Sequence, residues 1–554
     1  MGARLAAAGL EGTTADYSRA ALLVAVTAVN LAVAWSGVFG RWFPPNDTKH
    51  WIVRARFYAG WQMPASESVG QFATHPVAIA SLALLLVIVG SAVLAAKLWT
   101  VLVYVWATTA VYVTARELFS GRVALLAFAT VGLGQYLYLD LLSFGGVPQL
   151  VAVGFLTLCV GALVRARRTG AAADRLAYAA LLTLGLFAHP PSSPVFVATL
   201  GAVSVAVGVA TREVRAVVDT VVDSLVPSLV FAVYLAAQWR VFSLYVSATD
   251  GHGIATLVQM ATRSPPLGAA AVGVAASLPL VVHVVGANPD VASAFAPTPA
   301  SERRPRRLGA SPRLDAHASA LIVAGWLLGP LSVAVAVGAL PGVETELARV
   351  AYFLVAPFVT AFALYVCVVA WVGAGVLGRV VRNPDLRGAV WPALTVAVAL
   401  LVLLPGFAWS TGYYADARVY YGVKNPDSTR AVVGWVDENG PVDGQVAAPF
   451  YVAPWIEALA GESALTATPA SGSYRPDEAR ESDAYQRLEH LRWNGDTPHN
   501  VRAARRTIRE YDVRYVVLPN NWRKTRFDPL GHQVYATDRL VVYAVDADAP
   551  EVDA

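Results

Sequence analysis

The sequence predicts an α-helical polytopic membrane protein with a water-soluble mixed α/β domain after it, and three observations predict it. Hydrophobic residues make up 56% of the chain and charged ones only 14%, against roughly a quarter charged in soluble domains. Charge is also segregated: stretches 77–96 and 388–409 carry none, whereas the sequence beyond residue 412 is rich in Asp, Glu and Arg. Finally, apolar runs approaching the ~20 residues that cross a bilayer recur throughout the first 410 residues.

These runs lie near 20–40, 98–115, 123–140, 150–164, 176–188, 194–210, 217–238, 266–286, 318–340, 350–378 and 388–410. They amount to about 11 spans, with 77–96 as one further half-span or twelfth span. The chain therefore divides into a transmembrane domain, 1–410, and an extracytoplasmic domain, 411–554. The first apolar run is long enough to remain as an anchor instead of serving as a cleaved signal.

Orientation follows from Arg and Lys in short loops, which stay on the cytoplasmic side. The clusters are Arg165/Arg167/Arg168/Arg175, Arg212/Arg215, Arg303/Arg304/Arg306/Arg307/Arg313 and Arg379/Arg382/Arg387. Placing them all inside makes every span from 150 onward alternate without conflict. Arg116, Arg122 and the N-terminus with Arg4 and Arg19 then fall inside too, provided 77–96 does not cross fully. Loop 41–76, the turns at 141–149, 189–193 and 341–349, and the C-terminal domain face outward.

Other patterns narrow the chemistry. Cys159 and Cys367 both lie in apolar runs, so the soluble domain has neither a disulfide nor a thiolate metal site. From Tyr413 onward there are 21 acidic against 16 basic residues, which gives no reason to expect a nucleic-acid partner. There is no phosphate loop of the G-x-x-x-x-G-K-[ST] type. In the soluble domain, 445–448, 513–518 and 541–545 read as strands, 427–439 and 484–493 as helices, and 466–482 as loop. Asp219 and Asp223, four apart on one helical face, could form an ion site, but nearby Arg215 favours a solvated span end.

The first outer loop, 41–76, is crowded with Asp47, Lys49, His50, Arg54, Arg56, Glu67 and His75, interleaved with Trp42, Phe43, Trp51, Phe57, Tyr58 and Trp61. Segment 48–61 has helical spacing. Asp47 precedes it, so two roles fit: capping the first-turn amides, or catalysis at an exposed face. His50 stands where a capping box would need Glu or Gln.

Asp47-x-x-His50, followed by an aromatic- and Arg-bearing helix and Gly60, resembles the first outer loop of GT-C glycosyltransferases. These are polytopic enzymes that use polyprenyl-phosphate-linked sugars. Further resemblances follow in chain order: His75-Pro76, Arg116-Glu117-Leu118-Phe119-Ser120-Gly121-Arg122, Asp140 with Phe144-Gly145-Gly146-Val147-Pro148, Ala188-His189-Pro190, and Glu346-Leu347-Ala348-Arg349. The chain departs from oligosaccharyltransferase catalytic subunits in lacking W-W-D-Y-G. It departs from many protein mannosyltransferases in having Asn46, not an acid, before Asp47.

The resemblance implies a GT-C-like fold and an inverting transfer, like that of dolichyl-phosphate-mannose mannosyltransferases. Sugar would pass from a polyprenyl-phosphate donor to a glycan, lipid or protein acceptor on the outer face of the cell membrane. It makes Asp47 and Asp140 the candidate catalytic residues. His50, Arg54, Arg56, His75, His189 and Arg349 become candidate substrate-binding residues. It leaves room for a divalent cation such as Mg or Mn at Asp47, although no His/Asp/Glu cluster has zinc spacing. A transporter, a lipid flippase or a non-catalytic scaffold is the competing expectation. Absence of an internal repeat and the placing of charges at span ends count against transport.

Overall fold

The computed structural model describes residues 27–28, 42–44, 47–60, 75–133, 146–238, 295, 316–339, 347–380, 425–440, 443–465, 487–488, 498–520 and 530–545. The helices described in the first part are α1 (Thr48–Tyr58), α2 (Pro76–Val89), α3 (Ala92–Leu118), α4 (Gly121–Leu133), α5 (Val147–Thr169), α6 (Ala172–Ala188), α7 (Ser193–Thr211), α8 (Arg215–Ala237), α9 (Ala316–Ala339) and α10 (Leu347–Val380). Among the described residues, six segments are long and apolar enough to cross a membrane: α3, Pro190–Thr211, α5, α8, and most of α9 and α10. The expected spans at 266–286 and 388–410, and all of 20–40 except residues 27–28, lie outside the described residues, as do 134–145 with Asp140.

Run 77–96 is split. Helix α2 stops at Val89 because Gly90 takes a left-handed conformation (φ 71°), and Ser91 then accepts a hydrogen bond from the Leu94 amide to start α3. Fourteen residues give α2 a length of about 21 Å, short of the ~30 Å hydrocarbon thickness. Residues 92–96 belong to the following helix.

Inside a bilayer, helices gain no hydrophobic drive toward one another and rely on close packing and buried hydrogen bonds. Both are present. Thr114 donates to the Thr157 carbonyl (2.7 Å), joining α3 to α5, and Tyr104 donates to the Val131 carbonyl (2.9 Å), joining α3 to α4. Gly154 lies against Trp106 and Gly161 against Thr114. Helix α9 runs antiparallel to α7, with Gly325 on Ala202 and Gly329 on the Thr199 backbone. A Cβ at Gly329 would collide with Thr199 main-chain atoms, which cannot rotate aside. Gly329→Leu is therefore expected to lower the melting temperature of the detergent-purified protein by about 1–3 °C, the scale of ~1–3 kcal/mol of overpacking in a chain this long. Gly201→Leu, which meets open space on α7, serves as the neutral control.

One end of the bundle carries an ion-pair network. Asp223 accepts from Arg167 (2.5 Å) and Arg175 (2.5 Å), Glu117 from Arg168 (2.5 Å), and Asp174 from Arg165 (3.0 Å). Arg167 and Arg215 also lie 3.8 Å and 3.7 Å from Asp219. Asp219 and Asp223 thus belong to a paired span end and not to an ion site, but the end is not solvated as expected at Asp223, which is buried against Arg167.

Among the described residues, the C-terminal part forms a five-stranded sheet of β1 (Gln445–Ala447), β2 (Ala464–Leu465), β3 (Val513–Pro519), β4 (Gly531–Ala536) and β5 (Leu540–Val545), in the order β2-β1-β3-β5-β4. Strands β1, β2 and β3 are parallel, whereas β5 runs antiparallel to both β3 and β4. Helices α11 (Pro426–Asn439) and α12 (Pro498–Glu510) pack on it. The segment between β1 and β2 consists of a short helix, Ala453–Trp455, and a wider turn, Ile456–Ala460. Trp455 and Ile456 belong to the core of the sheet domain, and Ala458 to the core of the helical bundle.

Candidate functional site

Helix α1 lies where bundle and sheet domain meet, packing on α2 and on the turn Ile456–Ala460. Pro76 at the start of α2 and Pro190 after α6 explain the placement of two histidines here. A residue before proline is pushed out of helical geometry. His75 (φ −144°, ψ 56°) and His189 (φ −149°, ψ 83°) are accordingly non-helical, at the head of α2 and the end of α6. Helix α6 has Arg175 of the ion-pair network at its other end. The site therefore lies across the bundle from the arginines, about 25 Å away by the length of a 17-residue helix.

Asp47 stands just before α1, half-buried, with helical backbone angles (φ −71°, ψ −11°). Its carboxylate makes no capping hydrogen bond to α1. Capping, the bland role open to this residue, is thus not what holds it here. Two residues on, Lys49 is buried, its ammonium 5.8 Å from the centre of the Trp455 ring. Burial pushes Lys49 down to about 8, opposed by attraction to Asp47. Sequence reasoning placed Lys49 in the loop but not among the site residues. The missed signal is its seven-residue spacing from Arg56, two helical turns along one face.

On another face of α1 the Arg54 guanidinium lies 5.0 Å from the centre of Trp51. The Trp51 ring meets His75 edge-on at 5.1 Å, and His75 lies 4.9 Å from His189. His189 Nδ1 is 2.7 Å from the Ser192 hydroxyl. Arg54, His75 and His189, far apart in sequence, thus join one continuous stack, with Trp51 as the link. Both histidines are fully or nearly fully buried, and His50 is exposed.

Arg56 is turned elsewhere, donating to the Leu459 carbonyl (2.8 Å) in the sheet domain. Arg349 lies in the first turn of α10. Phe353, four residues along, is 6.3 Å from Phe196 near the start of α7, which puts that end of α10 at the level of His189. Lys97, in the second turn of α3, is a further buried cation near this end. Among the described residues no three His, Cys, Asp or Glu side chains gather as a metal site.

No protein-family model matches the sequence, and no curated protein does so. Solved structures do match over nearly the whole chain. ArnT from Cupriavidus metallidurans bound to undecaprenyl phosphate has a TM-score of 0.55 at 13% identity, covering 95% of this chain and 98% of that one. The oligosaccharyltransferase AglB from Archaeoglobus fulgidus, in complex with an inhibitory peptide and a dolichol-phosphate, has a TM-score of 0.52 at 11% identity, covering 96% and 75%. The chain has the GT-C fold. At such identities the likeness is one of architecture, and the chemistry rests on the residues. Around α1 the structure brings together Asp47, Lys49, Arg54, His75 and His189, carried by that helix and the ends it packs against.

Proposed function

We propose that this protein is a membrane glycosyltransferase that moves a sugar from a polyprenyl-phosphate donor to an acceptor hydroxyl on the outer face of the membrane. The observation that carries the reading is Asp47: a half-buried carboxylate at the head of α1 that does not cap its helix. The ArnT and AglB structures contain undecaprenyl phosphate and dolichol-phosphate respectively, in support of a lipid-phosphate donor. The Arg-rich bundle end, opposite the site, is the cytoplasmic one by charge bias. The N-terminus is then cytoplasmic and the sheet domain outside.

The step is one displacement. The acceptor oxygen bonds to the anomeric carbon as the bond from that carbon to the phosphate oxygen breaks, inverting the centre. Asp47 takes the acceptor proton as general base, and the lipid phosphate leaves with the bonding electron pair. Arg349 and Arg54, with His50 at the exposed face, meet the phosphate charge, for which a guanidinium fork is suited. His75 and His189 shape the wall behind Trp51. Asp140 is a second candidate carboxylate, and a divalent cation such as Mg or Mn would add charge compensation at Asp47. Absence of W-W-D-Y-G supports transfer of a single sugar over transfer of a whole glycan to Asn.

The test is transfer of labelled hexose from an undecaprenyl-phosphate donor by membranes containing the protein. Transfer above that of membranes lacking it is expected; none from this or a dolichyl-phosphate hexose would sink the reading. The pH profile provides a sharper check. Attraction between the Lys49 ammonium and the Asp47 carboxylate helps hold the base in position, and that attraction is lost as pH rises through about 8. Transfer should decline across that range, whereas Lys49→Arg, whose charge does not titrate there, should hold its rate above it.

A further inference from the structure

The sheet domain reaches the site through one short segment. Phe43, four residues before Asp47, is buried in the core of that domain, its ring 4.8 Å from Trp455. Lys49 lies over the same Trp455 ring at 5.8 Å. Arg56 donates to the Leu459 carbonyl at 2.8 Å. Positions 49 and 56 are seven apart, nearly in line along the helix, with Ile52 and Val53 buried between them. The opposite side of α1 carries Trp51 and Arg54 toward His75. Helix α1 is therefore held between two bodies, with Asp47 between the Phe43 and Lys49 attachments.

The segment on the sheet-domain side is itself fixed. Trp455 and Ile456 are buried in one core and Ala458 in the other. The turn Ile456–Ala460 closes through a hydrogen bond from the Gly461 amide to the Ile456 carbonyl. Gly461 has φ +79°, and Arg56 Nη1 lies 2.6 Å from where a Cβ would be. That position therefore needs glycine both for its backbone and for the passage of the guanidinium.

Resting on the glycosyltransferase reading, we infer that segment 455–461 of the sheet domain is a clasp that positions Asp47 for proton transfer, with Arg56 and Phe43 as its positioning residues on the loop. The sheet domain is then part of the catalytic apparatus and not a cover over it. Binding of the lipid donor, on the bundle side, does not depend on the clasp. Small displacements of a positioned group cost rate steeply, up to ~100-fold for about 1 Å.

The test uses full-length protein in detergent with Arg56→Met and Arg56→Lys. Arg56→Met should lower kcat ~10-fold to ~100-fold with KM for undecaprenyl-phosphate hexose nearly unchanged. Arg56→Lys, which still offers a donor to Leu459, should recover much of the rate. Hydrogen exchange measured on the same samples should show faster exchange at 48–58 in Arg56→Met, with β3 as protected as in wild type. Phe43→Ala, a second cut in the clasp, should act in the same sense. Unchanged exchange at 48–58 in both Arg56→Met and Phe43→Ala overturns the clasp. Faster exchange with full kcat overturns its positioning role. If wild type transfers no sugar, the glycosyltransferase reading fails, and with it the role assigned to Asp47; the exchange comparison still decides whether the clasp holds the helix.

Discussion

Replacing Asp47 by asparagine is expected to cut sugar transfer by ~100-fold or more, about 2.7 kcal/mol of barrier, the scale of a lost general base. The substitution is informative because of what Asp47 does not do. Its carboxylate does not cap α1, and asparagine is itself among the best residues at a helix start, so the helix has no local reason to unravel. Volume is conserved, and the removed charge lies beside Lys49, a buried cation. The variant should accumulate in membranes and melt like wild type while transferring little sugar. Equal transfer would move the base elsewhere, first to Asp140. A parallel loss of folded protein would instead give Asp47 a structural role through its pairing with Lys49.

The sequence made some of this legible for simple reasons. Apolar runs are long and charges sit at their ends, so the six spans found among the described residues fall close to six of the expected ones. Strand and helix patterns at 445–448, 513–518, 541–545 and 427–439 correspond to β1, β3, β5 and α11. Strand β4 escaped because its Gly531–Ala536 sequence is a mostly exposed edge without clean alternation. Helix α12 escaped because its arginines mask an apolar stripe at Val501, Ala504 and Ile508. Limits of another kind apply at the site. Spacing within α1 shows that 49 and 56 share a face, but not that Trp455 and Leu459, some four hundred residues away, occupy it. The meeting of His75 with His189 is likewise tertiary. What sequence offered was the pair of His-Pro steps that place each ring at an element end.

The largest stability effect is expected at the far end of the bundle, where Asp223→Asn should destabilise the folded protein by ~3–5 kcal/mol, the usual cost of breaking a buried ion pair from one side. Arg167 and Asp223 are each only 7% exposed and 2.5 Å apart, and Arg175 also binds the same carboxylate. Removing its charge leaves the buried Arg167 guanidinium, between α5 and α8, with the more distant and partly exposed Asp219. The neighbouring Asp219 is 34% exposed and its arginine contacts are 3.8 and 3.7 Å, so Asp219→Asn should cost ~0–1 kcal/mol, as solvent-screened pairs do. Thermal unfolding of both variants in one detergent separates the two cases. The double replacement Arg167→Met with Asp223→Leu should recover much of the loss, because a buried pair seldom outperforms apolar side chains of similar size. Transfer per folded molecule should stay at the wild-type level in all three, since the network lies a helix length from Asp47. A fall in that specific activity would mean that the angle between α5, α6 and α8 is transmitted to His189, and that the two ends of the bundle are mechanically coupled.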